Sequence, residues 1–139
     1  MSVSSGLRAQ LEKRDGNCCC YCLSSEENCG LRMHVDHIIP ESAGGGSSPD
    51  NLCLACFSCN VYKGAKQTWN DPLTQKTVSL FHPLYQNWNE HFIWDESKTK
   101  IIGLTSCGRA TVEALKMNNP TVVNARRRWA SAGWHPPEL

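Results

Sequence analysis

Short apolar runs separated by turn residues dominate the hydrophobic pattern of the first half of the chain. Leu7 and Leu11 are spaced i, i+4, which predicts a helix over residues 7–14. The β-rich run 34–39 predicts a strand, and the next eleven residues, PESAGGGSSPD, can only form a loop. A second short strand is predicted over residues 52–54. This half therefore indicates small paired elements around a long loop.

The second half continues the same kind of pattern instead of forming a tail. Further predicted elements are a helix from Phe57 ending at Gly64, a hairpin of 92–94 with 101–104, and a helix over 110–117. A last helix is predicted from Asn119 as N-cap residue and Pro120 as its first residue, with Gly133 just past its end.

Length and composition indicate one ordinary globular domain. The chain has 139 residues, and 40% of them are apolar. No apolar run approaches the roughly 18 residues that a membrane span needs. Because the start, MSVSSGLRAQLEKRDG, has no apolar signal-peptide core, we expect a cytoplasmic protein without a membrane partner.

Nine cysteines are the strongest chemical signal. Their odd number, in a chain expected to be cytoplasmic, favours metal binding over disulfides. Cys19/Cys22 and Cys56/Cys59 form two CxxC pairs, which together would make a four-cysteine zinc site. Cys53 forms a competing pair with Cys56, and spacing alone does not choose between the two registers. The 33 residues between the pairs exceed the loop of roughly 15–20 residues in a simple zinc ribbon, so a further structure is expected there.

Charge is distributed unevenly along the chain. Residues 1–97 carry seven Lys/Arg and eleven Asp/Glu, whereas residues 98–134 carry seven Lys/Arg and a single acidic residue. A basic segment beside a cysteine-rich segment indicates a polyanionic partner such as nucleic acid. The run Arg126, Arg127 and Arg128 is the main candidate for contacts with a DNA backbone.

The motifs RDGNCCCYC, HVDHIIPESAGG and NLCLACFSCN, followed by YKG, resemble HNH endonucleases of the four-cysteine type. The resemblance covers about residues 14–66, and residues 80–135 are similar to the C-terminal part of small stand-alone bacterial and phage HNH proteins. It implies one α+β domain over residues 1–139. In that domain a ββα-metal finger is stapled by zinc at Cys19, Cys22, Cys56 and Cys59, with a C-terminal hairpin and two helices packed on it.

The resemblance also implies an active site. Asp36 corresponds to a ligand of the catalytic metal, His37 to the general base, Asn51 to the residue that holds the loop and helps to orient His37, and Asn60 to the second metal ligand. The third letter of the HNH signature is therefore Asn in this chain. The chemistry agrees: an imidazole accepts a proton near neutral pH, and a carboxylate and an amide oxygen suit Mg²⁺ or Mn²⁺.

Two further residues near the motifs are candidates for phosphate contacts. Lys63 follows Asn60 by about one helical turn, and His34 lies two residues before Asp36 on the predicted strand. The leading hypothesis is a metal-dependent endonuclease that nicks or cuts DNA, with double-stranded DNA as the expected substrate, acting as a monomer or homodimer. The alternatives are a zinc-stabilised nucleic-acid-binding module without catalysis and a redox or zinc sensor that uses the surplus cysteines.

Overall fold

Three small antiparallel hairpins and six helices make up the part of the chain described by the computed structural model, residues 3–138. The helices are α1 (Ser5–Asp15), α2 (Glu26–Cys29), α3 (Phe57–Lys63), α4 (Trp88–His91), α5 (Ser106–Ala114) and α6 (Pro120–Ser131). The strands are β1 (His34–His37), β2 (Leu52–Ala55), β3 (Thr68–Asn70), β4 (Thr77–Ser79), β5 (Phe92–Trp94) and β6 (Ile101–Gly103). The protein is α+β, as the sequence predicted.

The first half forms the ββα finger. β1 pairs with β2 so that Asp36 lies opposite Cys53 and His37 opposite Leu52. The helix α3 follows directly, begins with Cys56 as its N-cap residue and ends at Gly64, as the sequence predicted. α1 packs on β2 and ends at Gly16, whose left-handed backbone terminates the helix.

In the second half, the β5–β6 hairpin and α6 are confirmed. Asn119 caps α6 by accepting a hydrogen bond from the backbone N–H of Val122, and Pro120 is its first residue. The predicted start of the preceding helix was wrong, because α5 begins four residues before the expected residue 110. The Thr105 hydroxyl caps the first turn by accepting a hydrogen bond from the backbone N–H of Gly108. Glycine has a low helix propensity, so its presence in the first turn argued against a helix there.

Two glycines allow the backbone of α5 to contact the backbones of α4 and β6 directly. A Cβ atom at Gly108 would lie 2.0 Å from the His91 carbonyl oxygen, and one at Gly103 would lie 2.3 Å from the Arg109 nitrogen. A larger residue at either position would push the β5–β6 hairpin and α5 apart. Both halves of the chain contribute to one core. Across it, the Trp88 indole N–H donates to the Tyr21 carbonyl at 2.7 Å. Within residues 3–138, no helix is both long and apolar enough to cross a membrane.

A buried ion pair ties α5 to the turn of the β3–β4 hairpin. Arg109 donates to both carboxylate oxygens of Asp71, at 3.0 and 2.9 Å, and the Leu73 N–H and the Thr74 hydroxyl also donate to this carboxylate. These hydrogen bonds, the Arg109 ones above all, hold the pKa of Asp71 well below its ordinary value. The carboxylate form is therefore stabilised in the folded state.

We expect the stability from this pair to depend on pH in one direction. Because the folded-state pKa of Asp71 is depressed, the stabilisation is full above the ordinary Asp value of about 3.9 and is lost as the pH falls below it. Asp71→Asn should therefore lower the free energy of unfolding at neutral pH. The difference in that free energy between the variant and the wild type should become smaller in acid. Urea unfolding of both proteins over a pH series measures the difference, and a gap that is independent of pH would contradict the prediction.

Candidate metal centre and candidate active site

Four buried cysteines from the two CxxC pairs meet at one point. The Sγ atoms of Cys19, Cys22, Cys56 and Cys59 all lie within 4.8 Å of one another, and those of Cys22 and Cys56 are 3.7 Å apart. A tetrahedral site of zinc and four sulfurs has S–S distances of about 3.8 Å, given Zn–S bonds of about 2.3 Å. These four residues can hold a structural zinc, and the register implied by the resemblance is confirmed over the competing pair of Cys53 and Cys56.

Local backbone geometry prepares each pair for a metal. The N–H of Cys22 points to Cys19 Sγ at 3.5 Å, and the N–H of Cys59 points to Cys56 Sγ at 3.4 Å. Hydrogen bonds from the neighbouring thiols, that of Cys19 above all, hold the pKa of Cys22 well below its ordinary value, while burial raises the pKa of Cys19. Thiolates are the form that binds zinc. A bound cation would offset the repulsion and desolvation of several thiolates buried together in the core.

A separate cleft lies at the end of β1 and beside α3. Asp36, His37 and Asn60 line it together with Glu41 and neighbouring backbone, and its volume is about 220 Å³. None of the four zinc-site cysteines lines this cleft. The sulfur donors and the oxygen donors are therefore kept apart, which suits two different metal ions.

Asp36 is almost fully buried and is already partnered. Its Oδ2 accepts a hydrogen bond from the Tyr21 hydroxyl at 2.7 Å and lies 3.1 Å from Lys63 Nζ. Its Oδ1 is held only loosely, at 3.4 Å from the same ammonium. Burial raises the pKa of Asp36, and the Lys63 charge opposes that effect. One carboxylate oxygen is thus committed to the protein, while the other remains weakly bonded.

His37 is half-buried at the edge of the cleft. Its Nε2 lies 2.9 Å from the Ser47 hydroxyl oxygen and 3.7 Å from Glu41 Oε1. A neutral imidazole has one donor nitrogen and one acceptor nitrogen. Held by Nε2 in this way, the ring can keep Nδ1 as its proton acceptor.

Asn51 fixes the long loop that carries Ser47 and Glu41. Its amide nitrogen donates to the carbonyls of Ile39 and Gly46, and its amide oxygen accepts from the Ile39 N–H at 2.9 Å. Gly45 fits closely beneath this clamp, because a Cβ atom there would lie 1.8 Å from the Ile39 carbonyl oxygen. The asparagine therefore closes the loop against the end of β1, beside His37.

Two residues expected to contact DNA are turned inward. Lys63 is only 2% exposed, and its ammonium donates to the carbonyls of His37 and Ile38 besides pairing with Asp36. Because α3 packs back on β1, the helix face that carries Lys63 points at the strand and not at solvent. The expectation that Lys63 contacts a phosphate is corrected: this lysine links the helix to the cleft.

Arg126 is the second correction, since it is fully buried. Its Nη1 donates to the Thr99 carbonyl at 2.9 Å, and its guanidinium lies over the Trp94 ring at 5.3 Å. The inward residues of α6, Val123, Arg126 and Trp129, are spaced by three, so that the helix period puts Arg126 in the core. A side chain in this position does not reach DNA. Arg127 and Arg128 remain exposed on the same helix.

His34 is exposed on β1 but does not line the cleft. Its ring lies 5.8 Å from the ring of Phe57, at the start of α3. The structure therefore does not bring it together with Asp36 and His37, although it belongs to the same strand.

Sequence reasoning missed the partners that hold the cleft residues. Tyr21, between the cysteines of the first CxxC pair, bonds Asp36, and Glu41 and Ser47 face His37. Glu41 follows His37 by four residues, a spacing that an acidic partner could have suggested. Tyr21 carried no such signal, because its role depends on how the finger folds over β1.

Comparison with known proteins identifies the finger. Residues 19–66 match the family model of the HNH endonucleases, and this match and the four-cysteine cluster fit an HNH finger of the zinc type. No curated protein and no solved structure matches the chain. The HNH match indicates a nuclease or nucleic-acid-binding role.

Proposed function

We propose that the protein is a metal-dependent DNA endonuclease that hydrolyses phosphodiester bonds at the cleft of Asp36, His37 and Asn60. The observation that carries this proposal is the meeting of a histidine, a carboxylate and an amide in one cleft, beside a separate sulfur site. A module that only binds nucleic acid has no need of a general base.

In the proposed reaction His37 takes a proton from the attacking water. Ser47 and Glu41 contact the ring at Nε2. We assign the tautomer in which Nε2 carries the proton and donates to them, and Nδ1 is then the accepting atom. Asn51 acts through the loop as a positioning residue, because it fixes the segment on which both partners lie. General acid–base catalysis of this kind contributes about 10²–10⁴-fold.

The donors in the cleft suit a hard divalent ion. Oδ1 of Asp36 is only loosely held, and the Asn60 side-chain amide forms no hydrogen bond with another group in residues 3–138. Both supply oxygen ligands, which Mg²⁺ and Mn²⁺ prefer. Such an ion would stabilise charge on the phosphoryl oxygens.

DNA is the proposed partner because the C-terminal segment is basic and α6 exposes Arg127 and Arg128. Replacing both with Gln should weaken duplex binding and lower the slope of log K against log salt by about 2, since each phosphate contact contributes about 0.9. Titrations at several salt concentrations measure this slope. Gln at two exposed lysines outside the basic segment, Lys13 and Lys76, is the matched control. An unchanged slope in the arginine variant would show that these arginines do not contact phosphate.

The direct test of the proposal is plasmid cleavage with added Mg²⁺ or Mn²⁺, followed by analysis of nicked and linear products. We expect cleavage that requires the added ion and disappears when it is omitted. If the zinc-loaded protein binds the plasmid but does not cut it with either ion, the non-catalytic binding module takes the place of the nuclease.

A further inference from the structure

A second cavity, of about 440 Å³, lies next to the candidate active site. It is lined by Ile38 and Ile39 and by Lys63 and Lys66. The neighbouring residues Pro40, Gly64 and Ala65 line the cleft of His37 instead. The same two stretches of chain, 38–40 and 63–66, therefore separate the cavities and border both.

An exposed aromatic pair forms the far wall of the second cavity. The rings of His82 and Tyr85 are stacked with centroids 4.1 Å apart and an angle of 16° between their planes. Tyr85 is 73% exposed, so that one face of its ring is covered by the imidazole and the other is open. An aromatic ring with an open face can stack a further flat ring on that face.

The turn beneath the pair is fixed by its own hydrogen bonds. The His82 N–H donates to Gln86 Oε1 at 2.7 Å, and the Leu84 N–H donates to His82 Nδ1 at 3.3 Å. The backbone N–H groups of Tyr85 and Gln86 both donate to the His82 carbonyl. Burial lowers the pKa of His82, which keeps the ring neutral and able to stack. The stacked pair of His82 and Tyr85 is thus held in place before any partner binds, and little conformational entropy is lost on binding.

Lys66 lines the same cavity and supplies a cation. Its ammonium donates to the Tyr62 carbonyl at 2.7 Å and lies 5.7 Å from the centre of the Trp69 ring. An ammonium has three donors, and one is used by this carbonyl, so others are available for a phosphate oxygen. A flat aromatic face and a cation across one cavity match the two parts of a nucleotide, its base and its phosphate.

We propose that this cavity binds an unpaired nucleobase of the DNA, which stacks on Tyr85 while Lys66 contacts the adjoining phosphate. The proposal rests on the proposed function in that it takes DNA as the substrate. A paired base has neighbours on both faces and leaves no face for Tyr85. The cavity therefore favours DNA with a bulge, a flap or a displaced strand near the cleavage position.

The test measures binding apart from cleavage. Two short duplexes carry a fluorescent adenine analogue, unpaired in a bulge in one and paired in the other. Both are titrated with zinc-loaded protein in a His37→Ala background without added Mg²⁺. We expect tighter binding of the bulged duplex and quenching of its fluorophore. Tyr85→Ala should weaken that binding about 5- to 100-fold and remove the quenching, with the paired duplex unaffected.

Matched variants separate stacking from a general loss of fold. Tyr85→Phe keeps the ring and should retain both quenching and affinity. Trp134→Ala removes another exposed aromatic side chain outside the cavity and should change neither. If the Tyr85→Ala protein binds each duplex as tightly as its parent does, the stacking site is overturned and the proposed function is not. Failure to bind either duplex would overturn the proposed function together with it.

Discussion

Cys59→Ser is expected to leave the chain largely unfolded. Cys59 is one of the four buried cysteines that can hold a structural zinc, and three remaining sulfurs in the core would bind the ion poorly. Apparent binding energies of structural zinc, about 10–16 kcal/mol, are comparable with the whole stability of a small domain, about 5–15 kcal/mol. Circular dichroism melting curves and zinc content per chain measure the loss.

Cys107→Ser is the matched control, because Cys107 is half-buried and lies outside the sulfur cluster. This variant should keep its zinc and a melting curve close to that of the parent. A chelator strong enough to remove zinc should reproduce the Cys59→Ser result in the wild type. A folded, cooperative Cys59→Ser protein with the parental melting temperature would contradict a structural role for the metal.

His37→Ala is expected to lower the rate of DNA cleavage by about 10²–10⁴-fold at saturating Mg²⁺, the usual contribution of a general base. Its stability should change little, because the ring is half-buried at the edge of the cleft. DNA binding should persist, since the proposed phosphate contacts are made by Arg127, Arg128 and Lys66 and not by His37. Single-turnover cleavage and a binding titration distinguish the two effects.

His34→Ala is the control for the loss of a histidine from the same strand, since His34 is exposed and does not line the cleft. Asn60→Ala should lower cleavage with partial rescue by more Mg²⁺ or by Mn²⁺, because it removes a ligand rather than the base. Asp36→Ala is a poorer probe, because it would leave the Lys63 ammonium buried without its carboxylate. Cleavage by His37→Ala at the wild-type rate would remove His37 from the mechanism.

Elements with local signals could be predicted from sequence. The turn at Gly64 after α3 and the cap of Asn119 before Pro120 each act within a few residues, and both hold. CxxC spacing indicated a sulfur site, but the choice of its four cysteines came from the resemblance. The hairpin of β3 and β4 was missed, because its strands have three residues each and only one apolar residue apiece, Trp69 and Val78, which is too few to define an alternation. Elements this short are defined by what they pack against.

Side-chain direction was the part of the site that sequence could not supply. Lys63 and Arg126 are both cations in contexts that suggest DNA, and both are buried by the packing of the helices that carry them. Arg127 and Arg128, next to Arg126 in sequence, are exposed instead. Which of three consecutive arginines faces the core depends on where the helix lies against β5 and its neighbours, and composition does not contain that information.

The seven-residue helix α3 also determines how the finger tolerates insertions and deletions. Cys56 and Cys59 at its start, Asn60 in its middle and Lys63 at its end must keep their angular order around one axis. A single residue inserted after Cys59 would rotate everything beyond it by about 100° and shift it by about 1.5 Å. The sulfur cluster would survive such a change, but Asn60 would leave the cleft and Lys63 would lose Asp36. Length variation among relatives should therefore be absent from this helix.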